Sequence, residues 1–290
     1  MKNKFNSCEI CNSNNWELIY EGKIRDGYFG KFLENASIGE CLACGVQRLD
    51  EENCIPSEYY ESGEYRKKLQ QSLVNDKALK EQDYIQKYMI DAVGGLDVLR
   101  NQFVVDVGCG VGSLLDMICG ITSDQIGIEP CKPYFDILQQ KEYKVYPDLS
   151  LTLEKNNQTL DWALSGQVIE HVENPVKFFK EIFNLLKPGG QALISTPNRN
   201  DILINLLPEF KEFFYRTQHR WYFDKKSIEY CADIAGFEVL ETKFIHRYGL
   251  ANTIYWLRDR KPKGNIRIDQ FSEHADKLWS AYLQNSGQTD

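Results

Sequence analysis

Phe103-Val-Val-Asp106-Val107-Gly108-Cys109-Gly110-Val111-Gly112-Ser113-Leu114-Leu115 decides the fold. Its first five residues make a short apolar run of strand type, the three glycines punctuate it, and Ser113-Leu114-Leu115 opens a helix. Strand, glycine turn and helix together form the first unit of a doubly wound, mostly parallel α/β sheet that binds a nucleotide. Glycine lets the backbone approach a ligand closely, and a helix start presents N–H groups with no partner of their own. The spacing is G-x-G-x-G, with an acidic residue two positions before the first glycine, which departs from the dinucleotide fingerprint G-x-G-x-x-G.

Reading outward, Gln125-Ile-Gly-Ile128 is the second strand and delivers Glu129, followed by Pro130, to the carboxyl edge of the sheet. A carboxylate there is placed to accept hydrogen bonds from ribose hydroxyls. Tyr143-Lys-Val-Tyr146 is a third strand ending at Pro147-Asp148. Asp148 either receives the exocyclic amine of an adenine or caps the next helix. With Asp161-Trp-Ala-Leu-Ser-Gly166-Gln167-Val-Ile-Glu170-His171-Val-Glu-Asn-Pro175 and Leu186-Lys-Pro-Gly-Gly190 leading to Thr196-Pro-Asn198, these motifs resemble, in order, those of class I S-adenosylmethionine-dependent methyltransferases over residues 100–245. The resemblance implies that the loop of Asp106, Gly108, Cys109, Gly110 and Gly112 holds the methionine part. It also implies that Glu129 with Pro130 holds the ribose and Asp148 the adenine, with Gly166 and Gln167 near the sulfonium.

Nine cysteines are present, and four of them form two tight pairs, Cys8-Glu-Ile-Cys11 and Cys41-Leu-Ala-Cys44, the second followed by Gly45 at a tight turn. Two such knuckles supply the four soft ligands of a closed tetrahedral site, so a structural zinc ribbon is expected, with Trp16-Glu-Leu-Ile-Tyr20 in a hairpin between them. Cys54, Cys109, Cys119, Cys131 and Cys231 read as small buried side chains.

The net charge is −8, with 42% hydrophobic and 26% charged residues. Residues 1–65 hold six Lys/Arg against twelve Asp/Glu. That module would be repelled by a phosphate backbone, so nucleic acid is not the expected partner and an RNA methyltransferase is the lesser reading. No apolar run is long enough to span a bilayer and no signal peptide is seen, which places the protein in the cytoplasm without a membrane partner.

Methyl transfer is an in-line displacement, and a base is needed when the acceptor loses a proton. Four histidines are available, His171, His219, His246 and His274. His171 follows the fourth strand, at the edge where ligands bind, and reads equally as catalytic or as orienting. His219 lies in Tyr215-Arg-Thr-Gln-His219-Arg-Trp-Tyr-Phe223, a loop suited to the acceptor wall. The four-cysteine module, Pro56-Ser-Glu-Tyr-Tyr-Glu-Ser-Gly-Glu-Tyr65 and the core together resemble the zinc-containing sugar methyltransferases of deoxysugar and surface-polysaccharide pathways. That resemblance implies a nucleotide-linked sugar acceptor, C- or O-methylated, with Tyr215, His219 and His171 as catalytic candidates. A non-catalytic S-adenosylmethionine-binding protein is the remaining alternative.

Four regions follow: a ribbon over 1–55, a helical linker over 56–100 with Leu69, Leu73, Ile85, Met89 and Val93 at helical spacing, the methyltransferase domain over 101–248, and a tail over 249–290 packing on the core. Tyr59, Tyr60 and Tyr65 either line the acceptor cleft or pack. Glu238 to Ile245 reads as a sixth strand, and the last four residues read as frayed.

Overall fold

In the computed structural model, residues 4–64, 76–264, 268–269 and 271–289 are described, with side chains in 76–84 described only at position 83. The expected positions Leu69, Leu73 and Tyr65 fall outside them. Strands β1 (Trp16–Arg25), β2 (Phe32–Cys41) and β3 (Gln47–Leu49) precede the short helix α1 (Glu58–Glu61) and the long helix α2 (Asp76–Val93). The central unit then alternates β4 (Phe103–Val107), α3 (Ser113–Ile118), β5 (Asp124–Ile128), α4 (Lys132–Gln140), β6 (Lys144–Tyr146), α5 (Leu149–Asn156), β7 (Leu160–Gly166), α6 (Pro175–Leu185) and β8 (Leu186–Ser195). Beyond it come α7 (Ile202–Leu206), α8 (Pro208–Phe214), β9 (Trp221–Tyr222), α9 (Lys225–Ile234), α10 (Leu250–Asp259) and α11 (Glu273–Ser286).

Strands β4 to β8 make a five-stranded sheet in the order β6-β5-β4-β7-β8, every neighbouring pair parallel. The order reverses at β4, so the crevice above its carboxyl end lies between β5 and β7, where such sheets bind ligands. Alternation along the strands explains the layers. Val105, Val107, Ile126 and Ala163 join one core with Phe178, Phe179 and Ile182 of α6. Val104 and Leu164 face the opposite core, with Met89 of α2, Leu114 of α3 and Leu138 of α4. Both faces are therefore covered, as an all-parallel sheet requires.

A second, antiparallel sheet has the order β1-β2-β3-β9. Its hairpin is the one expected between the cysteine pairs, but its outer strand is Trp221–Tyr222, from the loop after β8. Ile24, Ile38 and Leu49 of this sheet share a core with Leu203, Phe210, Phe214, Tyr222 and Trp256. Part of the tail thus buries its apolar face here, and the chain that leaves β8 supplies an edge strand of the N-terminal sheet.

Several expectations are corrected. Residues 237–247 form no ladder among the described residues. They run past the open edge of β8 across a cleft of about 850 Å³, lined by Gln191–Ser195 on one side and Glu238–Ile245 on the other. A strand needs a partner within hydrogen-bonding reach, and that gap removes it. The extreme tail is docked: Asn198 Nδ2 donates to the Gly287 carbonyl, Ile202 N–H donates to the Gln288 carbonyl, and Thr289 is buried. Of the five scattered cysteines, Cys109, Cys131 and Cys231 are buried, whereas Cys54 is half-buried and Cys119 exposed. Among the described residues, no helix is long and apolar enough to cross a membrane.

Candidate functional site

The glycine turn after β4 sits where the sheet order reverses. Gly108, Gly110 and Gly112 all have positive φ, at +83°, +56° and +82°. A Cβ at Gly108 would come within 2.4 Å of the Val168 side chain, so the turn tolerates no other residue there. Gly110 N–H donates to Glu129 Oε2 at 2.7 Å, and Cys131 N–H donates to Oε1 at 2.8 Å. Glu129 is thereby held at the end of β5, facing the turn. Asp106 beneath it is buried, with Oδ2 lacking a partner, and burial first and Glu129 second push its carboxyl up to about 8. The glycine cradle, the oriented Glu129 carboxylate and an unsatisfied buried acid suit a polar adenosyl ligand.

Asp148 Oδ1 accepts from Leu151 N–H at 2.8 Å, the helix-capping role. Gly166 packs against Met89 of α2, and Gln167 adopts φ of +60°, rare for a residue with a side chain, with its N–H on the Ser195 carbonyl at 2.9 Å. Strain at a strand's carboxyl end is often found beside ligands. Pro130 follows Glu129 in the turn into α4.

On the far side of β7, Glu170, His171 and His219 bring their ligand atoms within 4.8 Å of one another. His171 Nδ1 lies 2.6 Å from the Gln218 carbonyl. A carbonyl only accepts, so Nδ1 carries the proton and Nε2 is the basic nitrogen. Tyr60 OH donates to the same carbonyl at 2.7 Å and packs on the ring, which locks its orientation. Nε2 faces Glu170 Oε1 at 3.9 Å. Glu170 is buried, Thr196 donates to its Oε2, and burial raises its carboxyl to about 7. His219 stands edge-on to His171, with ring centres 4.9 Å apart. Burial first, then Arg216, hold His219 well below the usual histidine range, so it is neutral near pH 7.

The loop carrying His219 is held by the N-terminal sheet. Gln47 pairs with Tyr222 and Arg48 with Trp221 across β3 and β9. Tyr215, a third candidate, donates its hydroxyl to Gln47 Oε1 at 3.1 Å and packs on Tyr222, turned toward the ribbon. Arg48, fully buried, pairs with Glu51 and, at 3.0 Å, with Glu9, which lies inside the first cysteine knuckle. Arg220 reaches Glu51 at 3.6 Å, while its N–H donates to the Glu170 carbonyl at 2.9 Å. An unbroken chain of contacts thus runs from the cysteine knuckle to the histidine pair.

Cys8 and Cys44 sulfurs are 3.7 Å apart and those of Cys11 and Cys41 are 3.5 Å apart. Four thiolates around one tetrahedral zinc at ~2.3 Å would be about 3.8 Å apart, so the cluster has the size such an ion requires. Asn12 and Gly45, each following its knuckle's second cysteine, both have positive φ, at 60° and 75°. The matching turns show two equivalent knuckles; the sequence marked Gly45, whereas Asn12 escaped notice although asparagine tolerates this conformation.

Sequence reading also passed over Gln218, whose carbonyl sets the His171 tautomer through an atom every residue has. Arg25 and Arg216 were missed too, lying 191 positions apart yet joined in one bridge between strands.

A family model described as a methyltransferase domain matches residues 82–242. The ubiquinone biosynthesis O-methyltransferase of Rattus norvegicus, a mitochondrial protein, is 30% identical over 115 residues, 36% of this chain and 33% of its own. The enzyme of the same name from Coxiella burnetii is 26% identical over 179 residues, 56% of this chain and 74% of its own. The chain therefore spans only a third of the length of the rat relative. The fold is shared with a SAM-dependent methyltransferase from Archaeoglobus fulgidus, at a TM-score of 0.50 and 16% identity, covering 77% of this chain and 91% of that one. With more than half its length matched, this chain belongs to the methyltransferase-domain family.

Proposed function

We propose that the protein methylates a small-molecule acceptor, a nucleotide-linked or surface-polysaccharide sugar, and that Cys8, Cys11, Cys41 and Cys44 hold one structural zinc ion. When bound, S-adenosylmethionine supplies an electrophilic methyl group on a positively charged sulfur. Asp106, the Gly108–Gly112 turn and Glu129 hold the donor, and Gln167 borders the reacting end. The acceptor enters from the side of Tyr60, His171 and His219. As its bond to the methyl carbon formed and the methyl–sulfur bond broke to leave a neutral thioether, the acceptor oxygen or carbon would give up its proton to His171 Nε2, with Glu170 beside the resulting imidazolium. His219, neutral, orients the acceptor by a hydrogen bond.

The observation carrying this reading is the 2.6 Å bond from His171 Nδ1 to the Gln218 carbonyl, which leaves Nε2 basic. The zinc reading is supported by the sulfur spacing, and four thiolates leave no open position, so the ion's role is structural. The acidic ribbon and the absence of an exposed basic run in it favour a small acceptor over RNA. Purified enzyme offered nucleotide-activated sugars and, in parallel, catechols should transfer a methyl group to a sugar, read by mass. Transfer confined to catechols would replace the acceptor class, and no transfer to any member would leave donor binding without catalysis.

A further inference from the structure

Arg25, at the end of β1, and Arg216, in the loop before β9, form an isolated parallel bridge. Their backbones are tied by Arg25 N–H to the Tyr215 carbonyl and Thr217 N–H to the Arg25 carbonyl, each at 3.0 Å. Two guanidinium groups are thus placed opposite each other, a like-charge pairing that destabilises a sheet unless something compensates. Compensation among the described residues is partial: Arg216 Nε donates to the Phe214 carbonyl at 3.5 Å and Glu170 acts on Arg216 from longer range, but no ion pair within 4.0 Å joins a carboxylate to either arginine. Arg25 stacks on Phe213 at 4.2 Å, which fixes the plane of its fork, and its Nε is buried without a partner.

Burial and Arg216 together push the Arg25 side chain down to about 8, and burial also lowers Arg216 despite the opposing pull of Glu170, which marks a concentration of positive charge only partly offset within the fold. Both arginines act electrostatically on His219, so the cluster adjoins the acceptor side of the site. Planar forks are suited to bidentate contact with an oxyanion, and a half-buried pair discriminates strongly against neutral molecules.

We propose that Arg25 and Arg216 bind an anionic group of the acceptor, a phosphoryl or carboxylate oxyanion, and hold it beside His219. This rests on the methyl-transfer reading above and narrows its acceptor to anionic molecules. The test is calorimetric titration of the full chain with inorganic pyrophosphate and, separately, with benzoate, both with S-adenosylhomocysteine saturating the donor site. Saturable anion binding is expected, weakened at least tenfold by Arg25→Gln and by Arg216→Gln and unchanged by Arg258→Gln on the surface. Tighter pyrophosphate binding assigns a phosphoryl group, tighter benzoate binding a carboxylate. Because Arg25 also packs on Phe213, Arg25→Lys and Arg216→Lys serve as the second pair: charge without the fork should weaken binding several-fold at unchanged S-adenosylhomocysteine affinity. Absence of saturable binding by both anions, or binding that survives in all four variants, overturns the proposal. S-adenosylhomocysteine affinity, read in the same titrations, tests the methyltransferase reading separately.

Discussion

At the residue scale, the proposed donor site turns on Glu129. Its two oxygens accept from Gly110 and Cys131, so removing the carboxylate frees two backbone donors as well as any ribose contact. Glu129→Ala should weaken S-adenosylmethionine binding by at least tenfold in calorimetry; an unchanged affinity would remove Glu129 from the donor site. On the acceptor side, His171→Ala should lower kcat by about 10²–10⁴, the usual range for a lost general base, with donor affinity retained. His219→Ala should lower turnover less, because a neutral buried imidazole orients and does not take the proton. An equal loss of turnover and donor affinity in either variant would point to structural damage. Glu170 gives a pH test. Its carboxyl titrates near 7 in the fold, above the ordinary 4.5, so the stability it contributes is fully present below that ordinary value and is lost as pH rises toward 7. Glu170→Gln removes the dependence, and the melting temperature of the variant relative to the parent should therefore climb from pH 5 to pH 8. A flat difference would contradict burial as the cause.

At the element scale, much was legible and the exceptions have identifiable causes. Val104, Val105 and Val107 announced β4 because a strand covered on both faces is mostly apolar, Asp106 being the exception, and the glycines marked its end. Glu238 to Ile245 carries strand-favouring residues such as Val239, Thr242, Phe244 and Ile245, yet a strand also needs a neighbour, and pairing across space is not written in one segment. Trp221–Tyr222 was hidden for the opposite reason: two residues carry no periodicity, and their place is set by β3, about 170 positions earlier. That strand is why the ribbon matters for the acceptor loop. Glu9 sits within a knuckle and reaches Arg48, which pairs in register with Trp221. Cys44→Ser, or removal of the proposed zinc by a chelator, should therefore loosen residues 215–223 in hydrogen exchange and lower turnover, while changing donor affinity less than threefold, the proposed donor turn being on the other sheet. Exchange confined to residues 4–50 would show that the two sheets are uncoupled.

At the scale of the whole molecule, the proposed donor crevice belongs to the parallel sheet and the proposed acceptor side is shared with the antiparallel one. Ordered motifs made the first half readable, since the glycine turn, Glu129, Asp148 and Gly166-Gln167 all lie at strands' carboxyl ends, which the fold gathers at one edge. The second half was readable only in fragments. His171 and His219 were each recognisable by position, but the tautomer set by Gln218, the approach of Tyr60 and the pairing of Arg25 with Arg216 arise from segments that meet only in the folded chain. Metal analysis of the purified protein should find about one zinc per chain, as a closed four-thiolate site requires. The central claim is that the crevice at the β4 switch point binds an adenosyl donor, and titration of the protein with S-adenosylhomocysteine addresses it most directly. Saturable binding of one molecule per chain, abolished or strongly weakened in Glu129→Ala, is the predicted result; no binding at millimolar ligand, or binding indifferent to Glu129, would contradict it.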